Sequence, residues 1–324
     1  APKKWLRIGE NFQFSYDKTE GSSGSAGGTL GEGSPWASAY RMVPYLPAFD
    51  IGGGFSGNAV GESGNATSPV ATLSRNADDF NERYRAFGNA FAEISPVDWI
   101  KFRTSFGVDF TNFFNKDITY RTYESSENTS ITGLGTASGY NLTWTWTNTI
   151  TLEQTFGDHG LKLLLGSEAI SFDGDGISVG TNTFDFEDPT FINLNTDQFA
   201  TPSTSSTQPI PEKLASYFAR FDYTFQNKYL INATIRRDGT SKIFEDERYG
   251  IFPSVGVGWR ISEETFLQNV SWLDDLKLRY GWGQMGSIDN VNAGNQFTLF
   301  GSNIGTSNYD INRTNNGAAV GYRP

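Results

Sequence analysis

The chain has 324 residues, of which 37% are hydrophobic, 15% are aromatic and 36 are glycine, and its formal net charge is −11. That acidic balance argues against a nucleic-acid partner, because phosphate binding requires a concentrated basic face. The lack of cysteine excludes disulfides and thiolate metal sites. No run of about eighteen apolar residues occurs, so the sequence predicts no membrane-spanning helix.

The first predicted element is a strand over residues 5–16. Phe12 and Phe14 lie on one face and polar residues on the other, which is the period-two pattern of a sheet with two unlike faces. A long loop is predicted from residue 17 to about 81. Residues 36–50 in it are so aromatic that we interpret the loop as functional rather than as a flexible linker.

The sequence then predicts four strands in two hairpins, over residues 82–94, 99–110, 140–152 and 161–172. In the third of these strands, Trp144 and Trp146 share one face, and threonines occupy alternate positions from Thr143 to Thr151 on the other. Four more alternating segments follow, over residues 217–225, 229–239, 252–261 and 276–284. Nine or ten strands are expected in total, in a long antiparallel sheet.

The connections alternate between short and long. Tight turns are predicted at 95–98, 157–160 and 226–228, and longer polar connections at 17–81, 124–139, 173–213 and 239–248. Connection 262–275 is long where a short one is due. Such an end-to-end asymmetry is typical of up-and-down transmembrane β-barrels, whose periplasmic turns are short and whose outer loops are long.

Bulky aromatic residues crowd the short-turn end, namely Trp99, Phe156, Phe225, Tyr229, Trp259 and Trp272. Aromatic rings prefer the interface of a bilayer, where an apolar body and a polar edge are both satisfied. The general enrichment of aromatic residues in strands is the alternative explanation.

Several motifs, in this order and spacing, resemble the SusC/RagA-type TonB-dependent outer-membrane transporters of Bacteroidetes. They are Ser216-Tyr217-Phe218-Ala219-Arg220, Asn227-Lys228-Tyr229-Leu230, Arg236-Arg237-Asp238-Gly239-Thr240-Ser241, Phe252-Pro253-Ser254-Val255, Trp259-Arg260-Ile261 and Leu276-Lys277-Leu278-Arg279. With weaker similarities further upstream, the resemblance spans about residues 5–286.

The resemblance implies a twenty-two-stranded barrel in the outer membrane with an N-terminal plug. TonB would energise it from the inner membrane, and a SusD-like lipoprotein would cap it outside and capture glycans or peptides. Residues 1–324 are expected to be a partial transmembrane β-barrel domain, with the plug domain and the remaining strands not in this chain. Gln284-Met285-Gly286-Ser287 departs from the family's Gln-Thr-Gly-Asn, and the structure of residues 287–324 is not predicted.

In such a barrel the apolar rows face lipid and the polar rows face the lumen, where charged side chains can be solvated or paired. The candidate residues for a substrate path are Arg103, Asp109, Arg220, Asp222, Arg236, Asp238 and Arg279. Ion pairs that brace the wall are the alternative role, and the tendency of opposite charges to pair across strands favours it. The candidate outer-loop contacts are Trp36, Tyr40, Tyr45 and Phe49, which could stack on sugar rings or pack on a partner protein.

The sequence predicts no catalytic residue, no metal site and no cofactor. Asp173-Gly174-Asp175-Gly176 fails the spacing of an EF-hand and is interpreted as a turn. His159, the single histidine, is predicted in a tight turn without further ligands nearby. Residues 61–65 do not match a nucleophile elbow. The acidic clusters at 185–188 and 245–247 are expected to be solvated loop faces.

Two functions from different classes remain open at this stage. The first is nutrient import across the outer membrane by a TonB-dependent transporter. The second is a non-transporting β-rich surface protein, an adhesin or a glycan-binding protein, whose aromatic residues form a buried core. They differ in whether Phe106, Trp144, Phe221 and Val257 face lipid or the protein interior.

Overall fold

The computed structural model of the chain describes residues 3–21, 34–58, 66–195, 202–207, 209–267 and 272–292. Ten strands dominate it: β1 Leu6–Glu20, β2 Phe80–Val97, β3 Ile100–Thr119, β4 Thr132–Phe156, β5 His159–Phe184, β6 Ser203–Thr207, β7 Glu212–Phe225, β8 Tyr229–Thr240, β9 Tyr249–Arg260 and β10 Lys277–Gly283. Two short helices, α1 Pro35–Arg41 and α2 Pro69–Arg75, precede β2. No helix within these ranges is long and apolar enough to cross a membrane.

All ten strands form one antiparallel sheet in the order β1-β2-β3-β4-β5-β7-β8-β9-β10, and the short strand β6 pairs with the outer part of β5. Each strand therefore lies beside its neighbour in sequence, apart from the inserted β6. The predicted fold class, an antiparallel up-and-down sheet of nine or ten strands, is confirmed. Among the described residues the sheet does not close, and β1 and β10 are its two edges.

Tight turns join the strands at one end of the sheet. Gly157 has a φ of 56°, and Gln226 and Asn227 have φ values of 49° and 57°. Glycine and asparagine adopt this left-handed region more readily than other residues, so these sequences favour a reversal of the chain within a few residues. The turns consist of residues 98–99, 157–158 and 226–228, and all three are tight as predicted.

The outer halves of β4 and β5 are longer than predicted. Asp173-Gly174-Asp175-Gly176 was predicted as a turn, and that prediction is wrong, because it lies inside β5 opposite residues 139–142 of β4. Asp173 and Asp175 each accept a hydrogen bond from the amide of the following glycine, at 2.8 and 2.7 Å. This local bonding is typical of a turn, but the continuous ladder to β4 overrides it.

The predicted loop 17–81 also differs from the structure, because α1 and α2 lie within it. Both helices begin with a serine N-cap followed by proline at the first helical position. The hydroxyl of Ser34 accepts a hydrogen bond from the amide of Ala37, and that of Ser68 from the amide of Ala71. Serine and proline at these positions favour helix initiation.

The buried core lies at the loop-rich end rather than within the sheet. It consists of Ile118, Tyr120, Leu134, Phe184 and Ile192, with Leu194 packed against it. These residues come from the outer ends of β3, β4 and β5 and from the connections that follow β3 and β5. The loops at this end are therefore anchored to the sheet by a small apolar cluster.

Candidate functional site

The strand register separates the sheet into an apolar face and a polar face. Phe106 lies opposite Trp146, and Phe102 lies opposite Ile150, on the same side. On the other side, Arg103 lies opposite Thr149. Because residues that oppose one another in an antiparallel pair share a face, the alternation is continuous from β1 to β10. The predicted division of the strands is thus present in the structure.

The apolar face is exposed along its whole width. Phe12 is 70% exposed, Phe106 is 48% exposed and Val257 is 47% exposed. The described residues form a single sheet, and none of their strands or helices covers this face. The aromatic rings pack sideways instead, as in the stacked pair of Phe106 and Trp144, whose centroids are 6.1 Å apart.

All seven substrate-path candidates lie on the polar face. On the β2–β4 part of the sheet, two of them are already in ion pairs. Asp109 accepts two hydrogen bonds from Arg85, at 2.9 and 2.6 Å. Arg103 lies 3.6 Å from Glu93 and also covers the ring of Phe91, 4.0 Å from its centroid.

A larger network joins β4, β5, β7 and β8. Arg236 donates hydrogen bonds to Asp238 at 2.6 Å, to Glu168 at 3.2 Å and to Ser216 at 2.9 Å. Thr147 donates to the other oxygen of Glu168, at 3.2 Å. The network spans four neighbouring strands, so it braces the wall as well as offering polar groups.

Two further candidates form a separate pair. Arg220 and Asp222, two residues apart on β7, are joined by a contact of 2.8 Å. Arg279 on β10 differs from the other six, because it has no ion pair or hydrogen bond among the described residues. It lines an open concavity of about 1060 Å³ on the polar face, between β7 and β10.

Aromatic rings on the polar face lie flat over glycines of neighbouring strands, a feature that the sequence analysis missed. Phe218 lies over Gly166, and Phe91 lies over Gly9, so closely that a Cβ atom at either glycine would collide with the ring. The guanidinium of Arg236 lies over the ring of Phe218, 5.4 Å from its centroid. Glycines that face aromatic residues across the strand pairing are the signal that could have revealed it.

The four predicted outer-loop contacts lie at the loop-rich end and are exposed. Trp36 and Tyr40 lie on α1, where Tyr40 is 92% exposed. Tyr45 and Phe49 lie on the segment that follows, and Phe49 stacks on Phe55 with centroids 5.8 Å apart. The structure therefore places the four aromatic residues on one continuous loop segment.

Arg75 holds this segment against the loop between β3 and β4. Its guanidinium donates to both carboxylate oxygens of Glu124, at 2.6 and 3.0 Å. It also lies between the rings of Phe55 and Tyr123, 5.2 and 5.7 Å from their centroids. Burial raises the pKa of Glu124, but the hydrogen bonds from Arg75 and from the backbone outweigh it, so the pKa lies below its usual value.

Asp79 is a second buried carboxyl group at this end, immediately before β2. It accepts a hydrogen bond from the amide of Ile118 at 2.6 Å. Its pKa is raised to about 6, chiefly by burial and to a smaller extent by the nearby Asp117 and Asp78, while the amide of Ile118 and Lys116 oppose the shift. The protonation state of Asp79 therefore changes in a mildly acidic range.

At the short-turn end, the carboxylate of Glu264 binds the polar atoms of two aromatic residues. Glu264 accepts hydrogen bonds from the hydroxyl of Tyr229 at 2.7 Å and from the indole N–H of Trp259 at 3.0 Å. These bonds hold the pKa of Glu264 below its usual value. The long connection 261–276 thus folds back onto the end of the sheet through Glu264, which also binds Lys228.

The acidic clusters and the histidine lie apart from one another. Within the described ranges, no three histidine or acidic residues are grouped so that they could hold a metal ion. Glu187 pairs with Arg121 at 3.0 Å. His159 begins β5 rather than lying in the turn before it, and its Nδ1 is 2.8 Å from the hydroxyl of Tyr223. Residues 61–65 lie outside the described residues.

Sequence comparisons identify relatives among TonB-dependent receptors, although no protein-family model matches. The TonB-dependent receptor P3 of Formosa agariphila is 28% identical over 302 residues, which cover 88% of this chain and 28% of that protein. The TonB-dependent receptor SusC of Bacteroides thetaiotaomicron is 36% identical over 146 residues, which cover 44% of this chain and 13% of that protein. The chain thus spans less than a third of the length of these curated relatives.

Solved structures share the fold. The structure of the RagAB peptide transporter matches with a TM-score of 0.77 and 22% identity, covering 100% of this chain and 34% of the matched chain. The RagAB peptide importer in the 'open-open' state matches with a TM-score of 0.74. The ten-stranded sheet therefore shares the fold of about a third of the matched chain. The resemblance of this chain to the SusC/RagA-type TonB-dependent receptors of Bacteroidetes, which its motifs indicate, is confirmed by these relatives.

Proposed function

We propose that this chain forms part of the barrel wall of a TonB-dependent nutrient importer in the outer membrane. The complete protein would move glycans or peptides into the periplasm. The relatives named as TonB-dependent receptors support this assignment. The plug domain and the other strands would belong to the rest of that protein.

The observation that carries the proposal is the exposed apolar face. A hydrophobic sheet face of this width in water would collapse onto a second layer, whereas in a bilayer it contacts lipid directly. On β3 the apolar row runs from Ile100 to Phe110, which at a rise of about 3.3 Å per residue spans about 33 Å. A strand tilt of about 40° reduces that to about 25 Å, the height of the apolar band of outer-membrane barrels.

The same observation weakens the alternative of a soluble adhesin or glycan-binding sandwich. A sandwich requires a second sheet packed about 10 Å from the first, with the aromatic residues buried between them. The described residues contain one sheet, and its aromatic residues are exposed on the apolar face.

The two ends of the sheet fit different surroundings. We place the short-turn end in the periplasm, where a plug upstream would contact TonB. The loop-rich end would face outwards, and Trp36, Tyr40, Tyr45 and Phe49 would meet either a SusD-like lipoprotein or the captured substrate. The ordered packing around Arg75 and Glu124 supports a defined contact surface there.

Uptake by living cells tests the proposal. A strain that lacks the complete protein should fail to accumulate fluorescently labelled oligosaccharides or peptides that the parent strain imports, and a plasmid-borne copy should restore uptake. Deletion of the TonB system should abolish uptake in the complemented strain as well, because import across the outer membrane is then not energised. Uptake that persists without TonB, or a protein that fractionates away from the outer membrane, would overturn the assignment.

A further inference from the structure

The polar face of β1–β4 carries a depression that none of the ion pairs fills. Two adjacent rows of the sheet form it. One row runs Asn11–Asn89–Gly107–Thr145 across the four strands, and the next runs Gln13–Phe87–Asp109–Thr143. The depression has a volume of about 540 Å³. We call it the Phe87 depression, defined by Asn11, Gln13, Phe87, Asn89, Gly107 and Thr145.

We propose that the Phe87 depression is a binding subsite for a neutral sugar unit of an oligosaccharide. This proposal rests on the proposed function, and it adds a substrate class and the residues that would recognise it.

The aromatic ring of Phe87 is the first feature that suits a sugar. Phe87 is 52% exposed although it lies on the polar face, whereas Phe91 and Phe218 on the same face cover glycines of neighbouring strands. The guanidinium of Arg85 lies over one side of the Phe87 ring, with its carbon 5.5 Å from the ring centroid. An exposed ring beside polar groups offers an apolar surface on which the C–H face of a sugar can pack.

The side-chain amides of the depression are the second feature that suits a sugar. The side chains of Asn11, Gln13 and Asn89 are exposed and make no hydrogen bond within the described ranges. Each offers two donors and an acceptor, which suits hydroxyl groups because every hydroxyl both donates and accepts. Arg236 and Glu168, on the same face, are by contrast already paired with each other.

The shape of the depression is the third feature that suits a sugar. Gly107 lies at the centre of its row, and a Cβ atom there would meet no atom closer than 3.6 Å. The missing side chain leaves open space between Asn89 and Thr145. Strands are about 4.8 Å apart and alternate rows about 7 Å apart, so Gly107 makes a hollow of the width of one sugar ring among longer side chains.

The charge of the depression and the pairing of its strands also favour a sugar. Asp109 is the charged member of the two rows, and its pairing with Arg85 leaves the depression without net charge. Peptides are commonly bound by adding a strand to a free sheet edge. Around Gly107 no such edge exists, because β2 and β3 are both paired on their two sides. These features favour a neutral saccharide over a peptide.

Binding measurements on the complete protein in detergent test the proposal. The probes are maltoheptaose, cellohexaose, xylohexaose and mannohexaose, together with a mixture of neutral peptides, and isothermal titration calorimetry is the readout. We expect at least one oligosaccharide to bind, and Phe87→Ala to weaken that binding by about tenfold through the loss of stacking. Gly107→Leu, which fills the hollow, should weaken it at least as much. Phe110→Ala, an aromatic truncation on the apolar face of the neighbouring strand β3, is the matched control for Phe87→Ala and should leave binding within about twofold.

Cysteine labelling shows whether the depression is open to ligands in the assembled protein. The chain contains no cysteine, so Asn89→Cys introduces a defined site into it. We expect a polar maleimide to label this cysteine and the bound oligosaccharide to slow the labelling. This readout does not depend on the stability of the Gly107→Leu variant.

The outcomes separate this inference from the proposed function. If no oligosaccharide binds, if Phe87→Ala binds as tightly as the parent, if the peptides bind in a Phe87-dependent manner, or if the cysteine at 89 is inaccessible, the subsite proposal is wrong. In each of those cases TonB-dependent uptake would still stand or fall on the cell assay. Loss of uptake dependence on TonB would reject the proposed function while leaving the binding data interpretable.

Discussion

The guanidinium of Arg75 illustrates how single residues shape the outer loops. Glu124 binds it edge-on, and two aromatic rings cover its faces, so segments that are far apart in sequence are fixed together. The Glu124 side chain is 4% exposed and that of Arg75 is 14% exposed. Removing one partner of a buried pair leaves an uncompensated charge, which costs far more than breaking an exposed pair.

Replacing Arg75 should therefore destabilise the loop-rich end. We expect Arg75→Ala to lower its stability by about 3–5 kcal/mol, because Glu124 would remain buried and charged. Arg121→Ala removes an ion pair whose side chains are 43% and 47% exposed, and it should cost no more than about 1 kcal/mol. Limited proteolysis of the loops with increasing denaturant measures both. Combining Arg75→Ala with Glu124→Gln should recover part of the loss, and equal effects of the Arg75 and Arg121 variants would contradict the prediction.

Asp79 should make the stability of the same region depend on pH. Its pKa of about 6 in the folded protein lies above the value of about 3.9 expected in the unfolded chain. Between these values the folded state binds more protons, so the contribution of Asp79 to stability is present below about pH 4 and is lost as the pH rises through about 6. A shift of this size corresponds to about 3 kcal/mol without solvent screening, and we expect a loss of about 2 kcal/mol or less because the group is partly screened.

The Asp79→Asn variant isolates this contribution. Its amide oxygen can still accept the hydrogen bond from Ile118, but the side chain does not titrate. We expect thermal unfolding of both proteins to be measured between pH 4 and pH 7. As the pH falls across this window, the stability of the parent protein should rise relative to that of the Asp79→Asn variant. Parallel profiles would show that Asp79 does not titrate in the folded protein.

At the scale of elements, strand alternation was the property that the sequence revealed best. A period of two places each residue on a face regardless of where the strand ends, so Trp144 and Arg103 were assigned to opposite faces correctly. Strand ends were predicted less well. The glycine-rich parts of β4 and β5 have the composition of turns, and pairing with long-range partners makes them strands.

The helices and the loop contacts were harder to predict for different reasons. The Ser34-Pro35 and Ser68-Pro69 pairs carried a start signal for α1 and α2 that the loop prediction did not use. The contact between Arg75 and Glu124 has no local signal, because it joins residues 49 positions apart. Which charges pair, and which amides stay unpaired, depends on the register of several strands at once.

Neighbouring positions on β4 should experience different surroundings. We expect a fluorophore on Trp144→Cys to be quenched by spin-labelled lipids, and one on Thr145→Cys to be quenched by iodide from water. The two residues are adjacent and point to opposite faces, so each is the control for the other. Similar lipid quenching at both positions, or none at either, would argue against a membrane-spanning wall.

At the scale of the whole molecule, the two edges of the sheet decide what this chain can do alone. β1 and β10 are each paired on one side only within the described residues. In hydrocarbon an unpaired backbone group costs several kcal/mol, so stable spanning sheets are closed. An open edge in water also promotes association with other chains.

The isolated chain should therefore fail to insert as a monomer. Diluted from urea into detergent micelles, it should aggregate, whereas the complete protein treated in the same way should give a monodisperse species that migrates faster on gels before heating than after. Size-exclusion chromatography and heat modifiability distinguish these results. A monodisperse, heat-modifiable species from residues 1–324 alone would mean that the sheet can close on itself.

The flat placement of Phe218 on Gly166 has an evolutionary consequence. The ring occupies the space that any side chain at residue 166 would need, so neither position can change freely without the other. A homologue with a small residue in place of Phe218 gains room for a larger one in place of Gly166. In an alignment of homologues the two positions should covary, as should Gly9 and Phe91, whereas Gly281, with no atom nearer than 3.9 Å to its missing Cβ, should vary independently.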